Sequence, residues 1–136
     1  MTALIDTNVL LDVLAHRQNF YPCSKVIFDL CETRKIKGYI SSLSIADLVY
    51  VMRKELKKED INYVLLTLEL IFQVTDLNVD DINKASETNT SDFEDGIQIA
   101  TAKRIKADCI ITRNKNDFEN NSLPLFTPEE AVKRFI

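Results

Sequence analysis

Short, solid apolar runs alternate along this chain with longer stretches in which apolar residues recur every three or four positions. Thr2–Ile5 is a run of the first kind and predicts a buried strand. From Thr7 to about Ala15 the pattern turns helical, with Val9, Leu10, Val13 and Leu14 on one face. Tyr21–Arg34 reads as a second helix, with Pro22 near its start and Val26, Ile27 and Leu30 turned inward. Lys37–Ser41 predicts the next strand, with Gly38 marking the turn into it. Ser41-Ser42 then offers an N-cap to a strongly apolar helix running to about Lys57. Asp60–Ile71 predicts a further helix and Phe72–Leu77 a third strand. Asn78 or Asp80 caps a helix to about Glu87, and the polar loop TNTSD leads to a helix over Phe93–Lys106. Cys109–Thr112 is a compact buried strand, and Leu123–Phe126 is a last short one. Thr127, Pro128 and Glu130 form the start of a terminal helix: an N-cap, a proline at the first helical position and a capping-box glutamate.

Strands that are apolar on both faces and alternate with helices belong to a parallel sheet covered on both sides. The expected fold is a three-layer α/β/α sandwich with a central parallel sheet of four to five strands, built as a single domain over residues 1–136. In such sheets ligands bind at the carboxyl ends of the strands, where the strand order reverses.

Composition narrows the classes. The 136 residues are 46% hydrophobic and 28% charged, a water-soluble balance, and no run approaches the ~18 apolar residues of a membrane span. No basic stretch precedes an apolar one at the N-terminus, so a signal peptide is not expected and a cytoplasmic location is. Cys23, Cys31 and Cys109 have no zinc-binding spacing and read as core thiols. The single His16 reads as a surface residue at a helix end, which makes a histidine-based zinc site or a Ser-His-Asp catalyst a poor expectation. The net charge of -4 supplies no general positive field for nucleic acid.

Several carboxylates stand where folding alone would not put them. Asp6 directly follows the first strand, although a helix cap at Asp6 or Thr7 is a plainer explanation of that position. Asp47 lies among Ile45, Ala46, Leu48, Val49, Val51 and Met52 and is the only charge between Gly38 and Arg53. A buried, unpaired carboxylate is costly, so this face either borders a cleft or meets a cation. Asp92 and Asp95 share a face one turn apart at the start of a helix, followed by Gly96. Arg113-Asn114-Lys115-Asn116-Asp117 follows the CIIT strand. Each set falls where a parallel sheet gathers its loops. Clustered acids of this kind raise one another's pKa and are relieved by a divalent cation; oxygen ligands alone favour Mg²⁺ or Mn²⁺. Asp12 reads as a surface acid.

At these residues the sequence resembles the PIN domain family, which includes VapC-type toxins and other metal-dependent ribonucleases. The matching stretches are LIDTNVLLDVL, ISSLSIADLVYVMRK, DFEDGIQIATAKRIKADCIITRNKNDF and PLFTPEEAVKRFI, essentially the whole chain. The resemblance implies an acidic pocket holding one or two Mg²⁺ or Mn²⁺ ions and hydrolysis of RNA phosphodiester bonds by metal-activated water. Carried onto this chain, it makes Asp6, Asp47, Asp95 and Asp117 the catalytic acids and Asp6, Asp92, Asp95 and Asp117 the metal ligands. Asn8, Ser42, Thr112 and Asn114 become supporting residues. Arg113 and Lys115 are expected to steer phosphate, with Arg53, Lys54, Lys57, Lys58, Lys103, Arg104 and Lys106 as a possible cationic rim. An RNA substrate, an antitoxin protein and a homodimer are the partners the resemblance implies. This sequence departs from the family pattern at Asp47, where glutamate is usual, at Gly96, where alanine is usual, and at Asn114, where many members carry aspartate. A haloacid-dehalogenase-type phosphatase needs a second aspartate where Asn8 stands, and a phosphoacceptor receiver domain needs a strand-end lysine not found in place. The alternative of another kind is a non-catalytic PIN fold serving as a nucleic-acid-binding or scaffold module; such a chain would have lost acids retained here.

Overall fold

The computed structural model describes residues 1–87, 92–118 and 122–135. Most of the polar loop expected at TNTSD lies outside them. Five strands form one sheet: β1 (Thr2–Ile5), β2 (Lys37–Ser41), β3 (Gln73–Thr75), β4 (Cys109–Ile111) and β5 (Leu125–Phe126). Every pairing is parallel, and the order is β3-β2-β1-β4-β5. The chain builds outward from β1 on one side, then returns to lay β4 and β5 on the other. The strand order therefore reverses between β1 and β4, and the crevice of such a sheet opens at their carboxyl ends.

Seven helices cover the sheet among the described residues: α1 (Thr7–Leu14), α2 (Tyr21–Glu32), α3 (Ser42–Met52), α4 (Lys58–Ile71), α5 (Val79–Glu87), α6 (Phe93–Arg104) and α7 (Pro128–Phe135). Side chains on a strand alternate between faces, and β1 shows this directly. Ala3 and Ile5 join Cys109 and Ile111 in a core with residues of α1, α2, α3, α4 and α7. Leu4 and Ile110 face the other way, into a smaller core with Ile99 and Ala102 of α6 and the fully buried Phe118. The expected three layers are thus present, with the parallel sheet in the middle.

Elements end where their apolar partners end. The helix expected to reach about Lys57 stops at Met52, because Arg53–Lys57 carries nothing to bury there but the half-exposed Leu56. The strand expected over Phe72–Leu77 contracts to Gln73–Thr75, the three residues that pair with Tyr39–Ser41. Gly38 lies within β2 rather than in a turn before it. A Cβ there would sit 2.6 Å from Cys31 Sγ and 2.9 Å from Phe72 Cδ1, so this glycine lets β2 lie close under α2. Helices α1, α2 and α6 all close through a left-handed residue, His16, Arg34 and Lys106 with φ of 48°, 63° and 58°. The two backbone N–H groups that follow each helix end fold back on its last turn, as Arg17 N–H does on the Asp12 carbonyl.

Candidate active site

Asp6 is the first residue after β1 and the N-cap of α1. Its Oδ1 accepts the Thr7 N–H at 2.8 Å and its Oδ2 accepts the Thr112 hydroxyl at 2.7 Å, from the residue that follows β4. Capping and a site role are therefore compatible: the cap is what points this carboxylate into the crevice. Asp92 caps α6, accepting the Glu94 N–H at 2.8 Å, and Asp95 follows within the first turn. Asp117 sits on a single 3₁₀ turn, Lys115–Phe118, anchored by buried Phe118. Asp47 projects from the middle of α3.

These side chains line one cavity of about 320 Å³, together with Asn8, Asn114, Glu94 and Gln98. Asn114 and Asp117 both reach it, from the loop after β4. The electrostatics follow from that crowding. Burial pushes the Asp6 carboxyl up, against the two hydrogen bonds it accepts, and Asp117 and Asp92 add to the rise. Asp95 is pushed up to about 7, first by burial and then by Asp6, Asp92, Asp117 and Glu94. Burial also raises Asp47, while a hydrogen bond with Glu94 opposes the shift. Glu94 is raised in turn by burial and by Asp47. No cation appears among the residues lining this cavity.

Two members of the site were not anticipated. Glu94 stands between Asp92 and Asp95 in sequence, and a three-residue helical spacing leaves it off their shared face. At a helix N-terminus the cap and the first turn converge, and the triple DFED was the signal. Gln98 is buried, donates from Nε2 to Ser44 Oγ at 3.0 Å, and Ser44 in turn bonds Thr7 at 2.7 Å. This chain ties α6, α3 and α1 together behind the acids, and leaves Gln98 Oε1 without a partner among the described residues.

Other expectations give way to different contacts. Ser42 donates to the Thr75 carbonyl at 2.8 Å, tying α3 to the end of β3, and does not line the cavity; the helix cap is Ser41. Asn8 Oδ1 accepts the Arg113 backbone N–H at 3.4 Å, so it holds the β4 loop. Asp12 is not a surface acid: it is fully buried, bonded by Ser24 at 3.1 Å, with Arg113 Nε at 2.8 Å and Arg17 at 3.5 Å. Arg113, expected to steer phosphate, is thereby neutralised from within. Lys115, expected in the same role, is held by Glu130 at 3.1 Å. Arg104, assigned to the rim, grips buried Asp81 at 3.0 Å and the Asp76 carbonyl at 2.6 Å.

The donor set fits a hard divalent cation. It is all oxygen, it is crowded enough to raise several of its own pKa values, and it carries a buried amide oxygen with nothing to accept from. Among the described residues no three His, Cys, Asp or Glu groups form a ready-made cage.

Comparison with known proteins bears on the same residues. The profile of the PIN domain family matches residues 2–116. Among curated proteins there is no match. Similar solved structures include a toxin-antitoxin complex from Klebsiella pneumoniae, 23% identical with a TM-score of 0.70, covering 93% of this chain and 97% of that one. FitAcB from Neisseria gonorrhoeae is 21% identical with a TM-score of 0.67, over 93% of this chain and 98% of that one. VapBC2 from Rickettsia felis, bound to a DNA fragment from their promoter, is 17% identical with a TM-score of 0.71, again over 93% and 98%. At these identities the structural likeness is one of fold.

Proposed function

This chain belongs to the PIN domain family, and from that membership and its acid cavity we propose that it is a metal-dependent endoribonuclease, the toxin of a toxin-antitoxin pair. The observation that carries the reading is the meeting of Asp6, Asp47, Asp92, Glu94, Asp95 and Asp117 in one cavity at the strand-order reversal, without a cation to balance them. A stability-driven fold has no reason to gather six carboxyl groups this way. A scaffold module would have no use for them either.

Asp6, Asp95 and Asp117, with Asp92 beside them, would hold Mg²⁺ or Mn²⁺. Such an ion supplies charge neutralisation, polarisation of a phosphate oxygen and an activated water for in-line attack. The protein's own part is positioning. Thr112 and the Thr7 N–H fix both oxygens of Asp6. Asp95, with a pKa of about 7, is a carboxyl that gives up its proton readily at neutral pH when a positive charge arrives. Asp47 and Glu94 share a hydrogen bond and line the same cavity. Without the ion this cavity repels a phosphate backbone, so RNA binding and metal binding are coupled. The net charge of -4 therefore does not count against an RNA substrate. The toxin-antitoxin and VapBC2 complexes among the similar structures support an antitoxin as partner, and a homodimer belongs to the same reading.

The test is cleavage of RNA with and without Mn²⁺ by the wild type, Asp6→Asn and Asp95→Asn, with Mn²⁺ titration calorimetry alongside. Metal-dependent cleavage lost in both variants is expected, with Mn²⁺ binding weakened at least tenfold. Folded wild type that cleaves no RNA with any divalent ion, or variants that cleave as well as it does, would overturn the reading.

A further inference from the structure

Beside the acid cavity lies a second one, of about 390 Å³, whose wall includes Phe20, Asn19, Arg113, Asn114, Thr127 and Glu129. Asn114 lines both cavities, and Arg113, Asn114, Lys115 and Asp117 line a third that shares residues with each of them. The second cavity is not built for an anion. Among the described residues Arg113 is its only cationic lining residue, and that charge is matched by buried Asp12 at 2.8 Å. Glu129 adds a carboxylate to the same wall. What the cavity does present is a flat surface with polar edges. The Arg113 guanidinium lies 4.0 Å over the Phe20 ring, and Phe20 still leaves 43% of its surface exposed. Large exposed aromatic surface at the mouth of a cavity calls for a flat partner, and the Asn19 and Asn114 amides offer that partner both donors and acceptors.

We infer that this cavity receives one unpaired nucleobase of the RNA strand, stacked on Phe20, from a nucleotide next to the phosphate lying over the acids. The inference rests on the ribonuclease reading and narrows its substrate class. A base in a duplex is already paired and stacked and cannot enter, so the nucleotide that fills this cavity is an unpaired one. Phe20 and the pocket edges act on binding, while the acids act on the bond. The Asp12 ion pair contributes by holding the guanidinium over the ring instead of leaving it free to seek phosphate.

The experiment is steady-state cleavage, with Mn²⁺, of a short single-stranded RNA and of a series carrying one abasic nucleotide at successive positions. Phe20→Leu keeps an apolar side chain but has no stacking face, whereas Phe20→Tyr keeps the ring. On intact RNA, Phe20→Leu is expected to raise KM by about 5- to 100-fold, the range seen when one base–aromatic stack is lost, and to change kcat little. Phe20→Tyr restores the wild-type KM. On the substrate abasic at the position that enters the cavity, wild type and Phe20→Leu converge. An unchanged KM for Phe20→Leu, or the same loss on every abasic substrate, overturns the subsite while leaving the ribonuclease intact. Wild type that cleaves none of these RNAs overturns both.

Discussion

Replacing Asp95 with asparagine is expected to stabilise the metal-free protein at pH 8 while abolishing its activity. The carboxyl moves from an ordinary value of 3.8 to about 7 on folding, chiefly through burial and the neighbouring Asp6, Asp92 and Asp117. A raised pKa in an acid means that the folded state prefers the protonated form. The cost of ionising it is absent below pH 4, grows as pH rises, and is complete above about pH 7. Unscreened, the shift would be worth about 4 kcal/mol. Asp95 is only half-buried, and solvent screening reduces this to about 1–2 kcal/mol. For a chain of this length that corresponds to a rise in Tm of about 4–8 °C at pH 8 in EDTA. Near pH 4 the two proteins should melt together. Saturating Mn²⁺ should reverse the order at pH 8, because an ion that binds only the folded wild type stabilises it by about 2.7 kcal/mol at a hundred times its Kd. Thermal melts across pH, with and without Mn²⁺, decide the matter. If Asp95→Asn is no more stable than wild type at pH 8, or if its gain is the same at pH 4, the acids do not repel one another as argued.

Three further expectations concern the frame around the site. Asp12→Asn should destabilise the protein by about 2–3 kcal/mol in urea unfolding, somewhat less than a fully buried pair because Arg113 is partly exposed, and adding Arg113→Met should recover part of the loss; a surface acid would give a change within about 0.5 kcal/mol. Gly38→Ala should cost about 1–3 kcal/mol by the same measurement, since the new methyl meets Cys31 and Phe72 inside contact distance. Lys106→Gly should raise the midpoint of thermal unfolding, by about 0.5–1 kcal/mol of stability, because an exposed lysine there holds a left-handed backbone that glycine adopts freely; an unchanged or lower midpoint would show that its side chain makes a contact of value.

The fold was legible because its strands carry their own signature. TALI, KGYIS and CII are short, apolar and bounded, and their neighbours have helical spacing, so the parallel sandwich follows from the chain alone. What local pattern does not show is how far each element is matched by its neighbour. The third strand is three residues long because only Gln73–Thr75 pair with β2, at its Tyr39–Ser41 end, and the third helix stops when it runs out of core to cover. The 3₁₀ turn at Lys115–Phe118 reads as a polar loop, and only the burial of Phe118 against α6 and β4 makes it an ordered platform for Asp117.

The site separates in the same way. Acids placed just after strands or at helix starts could be assigned to one crevice, since the sheet's topology alone brings those positions together. Acids inside apolar helices could not be told apart. Asp12 and Asp47 look alike in sequence, each a lone carboxylate among leucines, isoleucines and valines, and the cost of burying either demands a partner. For Asp12 the partners are Ser24, Arg17 and Arg113, and the last comes from a hundred residues further on; the charge is cancelled and the residue becomes part of the frame. Asp47 is only partly buried, and its acidic neighbours are Glu94, which shares a hydrogen bond with it that lowers its pKa, and Asp92, whose charge raises it. A buried acid met by cations is structure, while an acid lining a cavity beside other acids has no counter-charge among the described residues there. That difference is why the proposed metal site is placed at the cavity that Asp47 lines and not at Asp12.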